Sequence, residues 1–172
     1  GLNSSSFIFC SFNNAYKISP YNFASWMRIL KEVKKSILWL LVGSENTAKN
    51  LIKEAAKHGI SKERLVFAKY VPIKEHLNRI QYADLFIDTN PYNAHTTSSD
   101  ALRMGLPVLT RLGNSFASRM GASILNAINL PELITNSQEE YEALAIELAT
   151  NPKKLKLIKN KLRDNLTSSP LF

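Results

Sequence analysis

Cysteine is almost missing from this sequence. Cys10 stands alone, which excludes an internal disulfide framework and a zinc site built on several thiolates. Glycine is scarce. Its six residues form neither G-x-G-x-x-G nor G-x-x-x-x-G-K-[ST], so no nicotinamide fingerprint and no ATPase phosphate loop is written here. Long apolar runs are missing too: the longest, Ser36 to Gly43, falls far short of a membrane span. The three histidines, His58, His76 and His95, lie on different segments without H-E-x-x-H spacing, so no metal is expected. Asp84 and Asp88 flank an apolar run without forming a recognisable glycosidase carboxylate pair. Ser118 lacks a G-x-S-x-G setting. The chain opens Gly-Leu-Asn with no charged-then-apolar leader, and a strand pattern starts almost at once. The expectation is a piece of a longer polypeptide from a reducing, cytoplasmic setting.

Negative charge is the other shortage: 14 acidic residues stand against 22 basic ones, a formal net charge of +8. Six of the basic residues, Lys153, Lys154, Lys156, Lys159, Lys161 and Arg163, crowd one segment. Leu155, Ile158 and Leu162 recur there at helical spacing, so the charges read as a solvated helix face. No aromatic interleaving accompanies them, and no nucleic-acid partner is expected.

What is present is a globular composition. The chain has 172 residues, 45% of them apolar, enough for one domain with a real core. Continuous apolar runs at Phe7 to Phe12, Ser36 to Val42, Arg64 to Tyr70, Asp84 to Asp88 and Pro107 to Thr110 read as strands. Helical patterns lie between them: after Ser19-Pro20, around Ala48 to Ala56 with Gly59 as a stop, over Lys74 to Gln81, and from a Thr96 or Thr97 cap to Met104 with Gly105 as a stop. A helix from Ser115 to Asn126, a short strand or turn at Leu130 to Ile134, a helix capped by Ser137 and Glu140, and the lysine-rich helix complete the chain. Strands that are apolar throughout have both faces covered. The fold class is therefore α/β, a three-layer Rossmann-like parallel sheet of about five or six strands.

In such sheets ligands sit beyond the carboxyl ends of the strands. Three stretches there carry chemistry. Asn93 to Asp100 offers free amides at a helix start, the Thr96 and Thr97 hydroxyls beside His95, and an Asp100 carboxylate one turn on. It fits either a phosphate and ribose site or an ordinary capped helix. Lys17, in the Asn13 to Lys17 loop, can neutralise a diphosphate leaving group or be one surface lysine among many. In the Val71 to Arg79 stretch, His76 and Arg79 stand three apart on one helix face. They can hold a nucleobase or be plain surface.

In order along the chain, Phe12-Asn-Asn-Ala-Tyr-Lys-Ile-Ser-Pro20, Glu75-His76-Leu-Asn-Arg79, Ala83-Asp-Leu-Phe-Ile-Asp-Thr89, Asn93-Ala-His-Thr-Thr-Ser-Ser-Asp100, Gly105-Leu-Pro-Val-Leu-Thr110, Ala117-Ser-Arg119 and Ser168-Ser-Pro-Leu-Phe172 resemble the O-linked N-acetylglucosamine transferase and SPINDLY family of glycosyltransferases. The resemblance covers nearly the whole chain. It implies that residues 1–172 are the C-terminal, nucleotide-sugar-binding lobe of a GT-B enzyme, without its N-terminal lobe and helical repeats. It further implies an inverting transfer of a sugar to Ser or Thr of a protein acceptor. Lys17 is the implied catalytic residue, with Asn14, His95, Thr96 and Thr97 at the donor phosphates, Asp100 at the ribose, and Val71, His76 and Arg79 completing the donor set. The implied donor is UDP-N-acetylglucosamine, with no metal needed. UDP-glucose, GDP-fucose and a non-catalytic binding module are the alternatives. The sequence departs from animal members at Ile73, where they carry a lysine. Either Lys74 substitutes from the next position, or that contact is lost.

Overall fold

The structure, a computed structural model, describes residues 6–172. The reading of Gly1-Leu-Asn as the start of a fragment lies outside them. Among the described residues six strands form one sheet: β1 (Phe7–Ser11), β2 (Ser36–Leu41), β3 (Leu65–Ala68), β4 (Leu85–Ile87), β5 (Val108–Arg111) and β6 (Ile134–Thr135). Their order is β3-β2-β1-β4-β5-β6, and every neighbouring pair is parallel. Seven α-helices of the described residues flank the sheet: α1 (Pro20–Glu32), α2 (Glu45–Lys57), α3 (Ile73–Ile80), α4 (Thr96–Arg103), α5 (Met120–Ala127), α6 (Gln138–Thr150) and α7 (Pro152–Asn165).

The sequence explains why these elements form. All six residues of β2 are buried, as a strand covered on both faces requires. Ser19 Oγ accepts from the Asn22 amide at 3.1 Å and Pro20 takes the first helical position, so α1 starts where its cap stands. Its inner face, Phe23, Trp26, Met27, Ile29 and Leu30, is almost wholly buried. Burial of each such side chain stabilises the fold by about 1.5–3 kcal/mol. Gly59 and Gly105 follow α2 and α4 with φ of +73° and +78°, so the expected helix stops are left-handed residues.

Two expectations need correction. The helix expected over Ser115 to Asn126 is broken into a 3₁₀ turn, Phe116–Ser118, and α5. Ser115 and Ser118 cap each other reciprocally, which closes the first turn on itself before Arg119 starts α5. Neither Thr96 nor Thr97 caps α4. The helix begins one residue earlier than a threonine cap requires, with His95 at the cap position and no side-chain capping bond. The lysine-rich face of α7 is stapled to its neighbours as well as solvated: Lys154 pairs with Glu147 at 2.7 Å, Lys159 with Asp84 at 3.5 Å and Lys161 with Glu132 at 2.8 Å. Among the described residues no helix is long and apolar enough to cross a membrane.

Candidate functional site

The chain winds outward from β1 through β2 to β3, then returns to β4 on the other side of β1. The connections after β1 and after β4 therefore leave the sheet in opposite directions. The crevice between them is the topological switch point where such sheets take ligands. Asn13, Asn14 and a 3₁₀ turn over Ala15–Lys17 follow β1. Thr89 to His95 follow β4 and lead into α4.

Asp88, at the end of β4, holds this arrangement together. Its carboxylate is buried and accepts from the Thr89 amide at 2.8 Å, the Ala94 amide at 2.7 Å and the Thr110 hydroxyl at 2.7 Å. Burial pushes its pKa up to about 7, against the pull of the Thr110 hydroxyl, the two amides and the Lys17 charge. Two layers brace the same strand end. Asn22 of α1 accepts from the Asn90 amide at 2.6 Å, and Tyr141 of α6 donates to the Asp88 carbonyl at 3.0 Å. Asn13 donates to Thr89 Oγ1 at 3.1 Å, and its Oδ1 accepts from the Thr97 hydroxyl at 3.4 Å. The loop after β1 is thus tied to the start of α4.

Lys17 crosses from the first loop to the second. Its Nζ donates to the Asn93 carbonyl at 2.9 Å and lies 4.0 Å from the centre of the Tyr92 ring. Burial lowers its pKa, and the Asp88 charge opposes that. His95 packs against Tyr92 at 5.5 Å, and its Nε2 is buried without a partner among the described residues. Burial first, and the Lys17 charge second, lower the His95 pKa, so its neutral form is favoured. The first amides of α4 have no intrahelical acceptors, which leaves them to a ligand or water.

A cavity of about 280 Å³ opens beside this helix start. Thr96, Thr97 and Asp100, on one face of α4, line one side; Val71, His76 and Arg79 line the other. Phe12 is its floor, 5.4 Å from the His76 ring and 5.1 Å from the Arg79 guanidinium. Arg79 Nε donates to His76 Nδ1 at 3.0 Å, and its Nη1 to the Lys69 carbonyl at 2.6 Å. With Nδ1 accepting, the imidazole is neutral and carries its proton on Nε2. Burial, and then the Arg79 charge, lower the His76 pKa in keeping with that.

Six of the nine candidate residues thus line one cavity, and Lys17, His95 and Asn14 stand beside it. Asn14 is exposed and accepts from the Tyr70 hydroxyl at 2.6 Å. Ile73 lines the cavity, whereas Lys74 is not among its walls. Sequence reasoning missed Asn13, Asp88, Tyr70 and Tyr92. A carboxylate ending an apolar strand and followed by threonine was the available signal for Asp88. Among the described residues no group of three or more His, Cys, Asp or Glu side chains is placed to hold a metal ion.

The model of glycosyl transferase family 41 matches residues 1–172. The chain belongs to that family. It is 38% identical over 165 residues to the UDP-N-acetylglucosamine–peptide N-acetylglucosaminyltransferase of Caenorhabditis elegans, covering 96% of this chain and 14% of that protein. It is 36% identical over 173 residues to the "Probable UDP-N-acetylglucosamine–peptide N-acetylglucosaminyltransferase SEC" of Arabidopsis thaliana, covering all of this chain and 18% of that one. Among solved structures, a mutant O-GlcNAc transferase of Thermobaculum terrenum superposes with a TM-score of 0.92 at 31% identity, over 96% of this chain and 32% of the other. The chain therefore spans less than a fifth of the length of these two curated relatives. The α/β, Rossmann-like class expected from the strand pattern is the observed one, and it is that of the matched part of the Thermobaculum terrenum O-GlcNAc transferase.

Proposed function

We propose that this chain is the donor-binding lobe of an inverting glycosyltransferase that moves N-acetylglucosamine from UDP-N-acetylglucosamine to Ser or Thr of a protein. One observation carries the reading: the cavity at the switch point joins Val71, His76 and Arg79 on one wall to Thr96, Thr97 and Asp100 on the other, with Lys17 beside it. A nucleoside diphosphate has complementary parts. Its base meets the His76 and Arg79 side, its ribose diol meets the Asp100 carboxylate, and its phosphates meet the α4 amides and threonine hydroxyls. The names of the worm and plant relatives support the sugar and the peptide acceptor.

In this reading the acceptor hydroxyl forms a bond to the anomeric carbon as the carbon–oxygen bond to the diphosphate breaks, and the hydroxyl proton is released to solvent. Negative charge grows on the departing diphosphate. Lys17 and the start of α4 hold positive charge there before the reaction begins, which is electrostatic stabilisation of the transition state. No step of the reading draws on a metal. The acceptor comes to a cleft that needs a second lobe, so the 172 residues are one domain of a longer cytoplasmic chain with an N-terminal lobe and helical repeats. The lobe alone is expected to bind the donor without turning it over.

Calorimetric titration of the chain with UDP and with GDP tests the reading. Saturable UDP binding, weakened by loss of Asp100 or Arg79, is the expected result. Absence of binding to either nucleotide would overturn it.

A further inference from the structure

Tyr70 stands where the donor cavity could run on into a second space. A neighbouring cavity of about 510 Å³ lies beyond the ends of β2 and β3, between Val42, Ala48 and Phe67. Among the described residues Tyr70 is the one shared by both linings. The residue is 61% exposed. Two contacts hold it there. Its hydroxyl donates to Asn14 Oδ1 at 2.6 Å, across the mouth of the crevice from the loop after β1. Its edge rests on Gly43, where a Cβ would stand 2.9 Å from Cε2, too close for a methyl group unless the ring moves.

We infer that Tyr70 is a specificity-determining strap: fastened to Asn14 and seated on Gly43, it walls off the larger cavity and confines the nucleobase to the smaller one. The inference rests on the donor-binding reading above. A pyrimidine has one ring and fits the cavity that Phe12, His76 and Arg79 line together, against their exposed faces. A purine has two fused rings and needs room that the strap closes. Selection of this kind comes from shape, so it is removed by removing the wall.

The test is titration of the wild-type chain and three variants with UDP and GDP. The wild type is expected to prefer UDP. Tyr70→Ala opens the partition and is expected to raise GDP affinity relative to UDP by about ten-fold or more. Tyr70→Phe keeps the ring but loses the fastening, and moves the ratio the same way by a smaller factor. Gly43→Ala displaces the ring and relaxes the selection in the wild-type background. It adds nothing in the Tyr70→Ala background, because the ring it would push is gone. Tyr70 is exposed, so the folded state survives its replacement, and a thermal melt verifies that. A preference for GDP in the wild type, or a ratio that moves by less than about three-fold in Tyr70→Ala, overturns the strap and leaves the donor-binding reading standing. No binding of either nucleotide by the wild type overturns both.

Discussion

Lys17 Nζ lies 2.9 Å from the backbone carbonyl oxygen of Asn93. The cation comes from the loop after β1 and the carbonyl from the loop after β4, so one hydrogen bond spans the switch point of the sheet. Asn93 also stands three residues before α4, whose amino end carries a partial positive charge. Lysine and helix start thus meet at one place, and an anion entering there is attracted by both. In the proposed reading, a donor diphosphate would compete with the Asn93 carbonyl for the ammonium group. If Lys17 stabilises the departing charge, Lys17→Ala in the proposed two-lobed enzyme is expected to lower kcat by about 10²–10³. Steady-state kinetics reads this directly, and unchanged turnover would take Lys17 out of the mechanism. The melting temperature of the variant is expected to stay near that of the wild type, since a half-buried loop lysine with one backbone acceptor contributes little to stability.

Asp88 gives a pH signature. Its pKa is raised in the folded chain to about 7, chiefly by burial. In the unfolded chain it titrates near the ordinary carboxylate value. Between those two values the native state binds the extra proton, so this group's contribution to stability falls as pH rises from about 4 to about 7 and is flat above. The lowered pKa values of His76 and His95 act in the opposite direction, because there the unfolded chain holds more protons. Asp88→Asn isolates the carboxyl. Its Oδ1 can keep the Thr89 and Ala94 amides, and its Nδ2 can donate to Thr110, which the wild-type Oδ2 accepts from. Denaturant melts across pH 4–8 are expected to show a difference in slope between wild type and variant of up to about 1.4 kcal/mol per pH unit. Parallel curves would mean that Asp88 is ionised throughout.

Gly121 carries a packing prediction. A Cβ there would lie 2.4 Å from Thr110 Oγ1 and 2.8 Å from Asp88 Oδ2. The amide of Gly121 also donates to Asn93 Oδ1 at 3.3 Å. The first turn of α5 therefore presses directly on the Asp88 network, and a methyl group has no room. Gly121→Ala is expected to cost about 1–3 kcal/mol, despite the better helix propensity of alanine. That is a fall in melting temperature of about 2–4 °C per kcal/mol for a chain of this size. A melt at or above the wild-type temperature would show that the loops around Asp88 yield without cost.

The fold was legible because its strands are buried on both faces. A run such as Ser36 to Leu41 has no polar alternation to suggest anything but a covered sheet, and caps such as Ser19 and Ser137 stand where their helices begin. The break at Arg119 was not legible, because serines fit a helix on paper and only their mutual capping ends the turn. The candidate site was half legible. Lys17, His76, Arg79, Thr97 and Asp100 follow strand ends, which is a positional argument that one sequence supports. Asn13 and Asp88 were hidden because they act through partners far off in the chain: Asn13 meets Thr89 from 76 residues away. The end of an apolar strand marks the place of Asp88, but not the partners that it gathers there. Tyr70 was hidden for the same reason, since its partner Asn14 is 56 residues away.

Asp100 decides between a site and a helix ornament. It stands four residues after Thr96 and three after Thr97, so its carboxylate shares their face of α4 and lines the same cavity as His76. If the α4 amides take the phosphates, the ribose of a nucleoside diphosphate arrives about one turn further along, beside Asp100. An ionised carboxylate only accepts hydrogen bonds, and a ribose diol offers two donors. Such charge-assisted bonds are worth about 1.5–3 kcal/mol, so Asp100→Ala is expected to weaken UDP binding by about ten-fold to a hundred-fold. Asp100→Asn loses less, because its amide oxygen still accepts one bond. The competing account makes Asp100 a charge that merely complements the helix dipole. It predicts a stability loss of about 0.3–1 kcal/mol with UDP affinity intact. Calorimetry and a denaturant melt on the same variant separate the two, and intact affinity would end the ribose assignment.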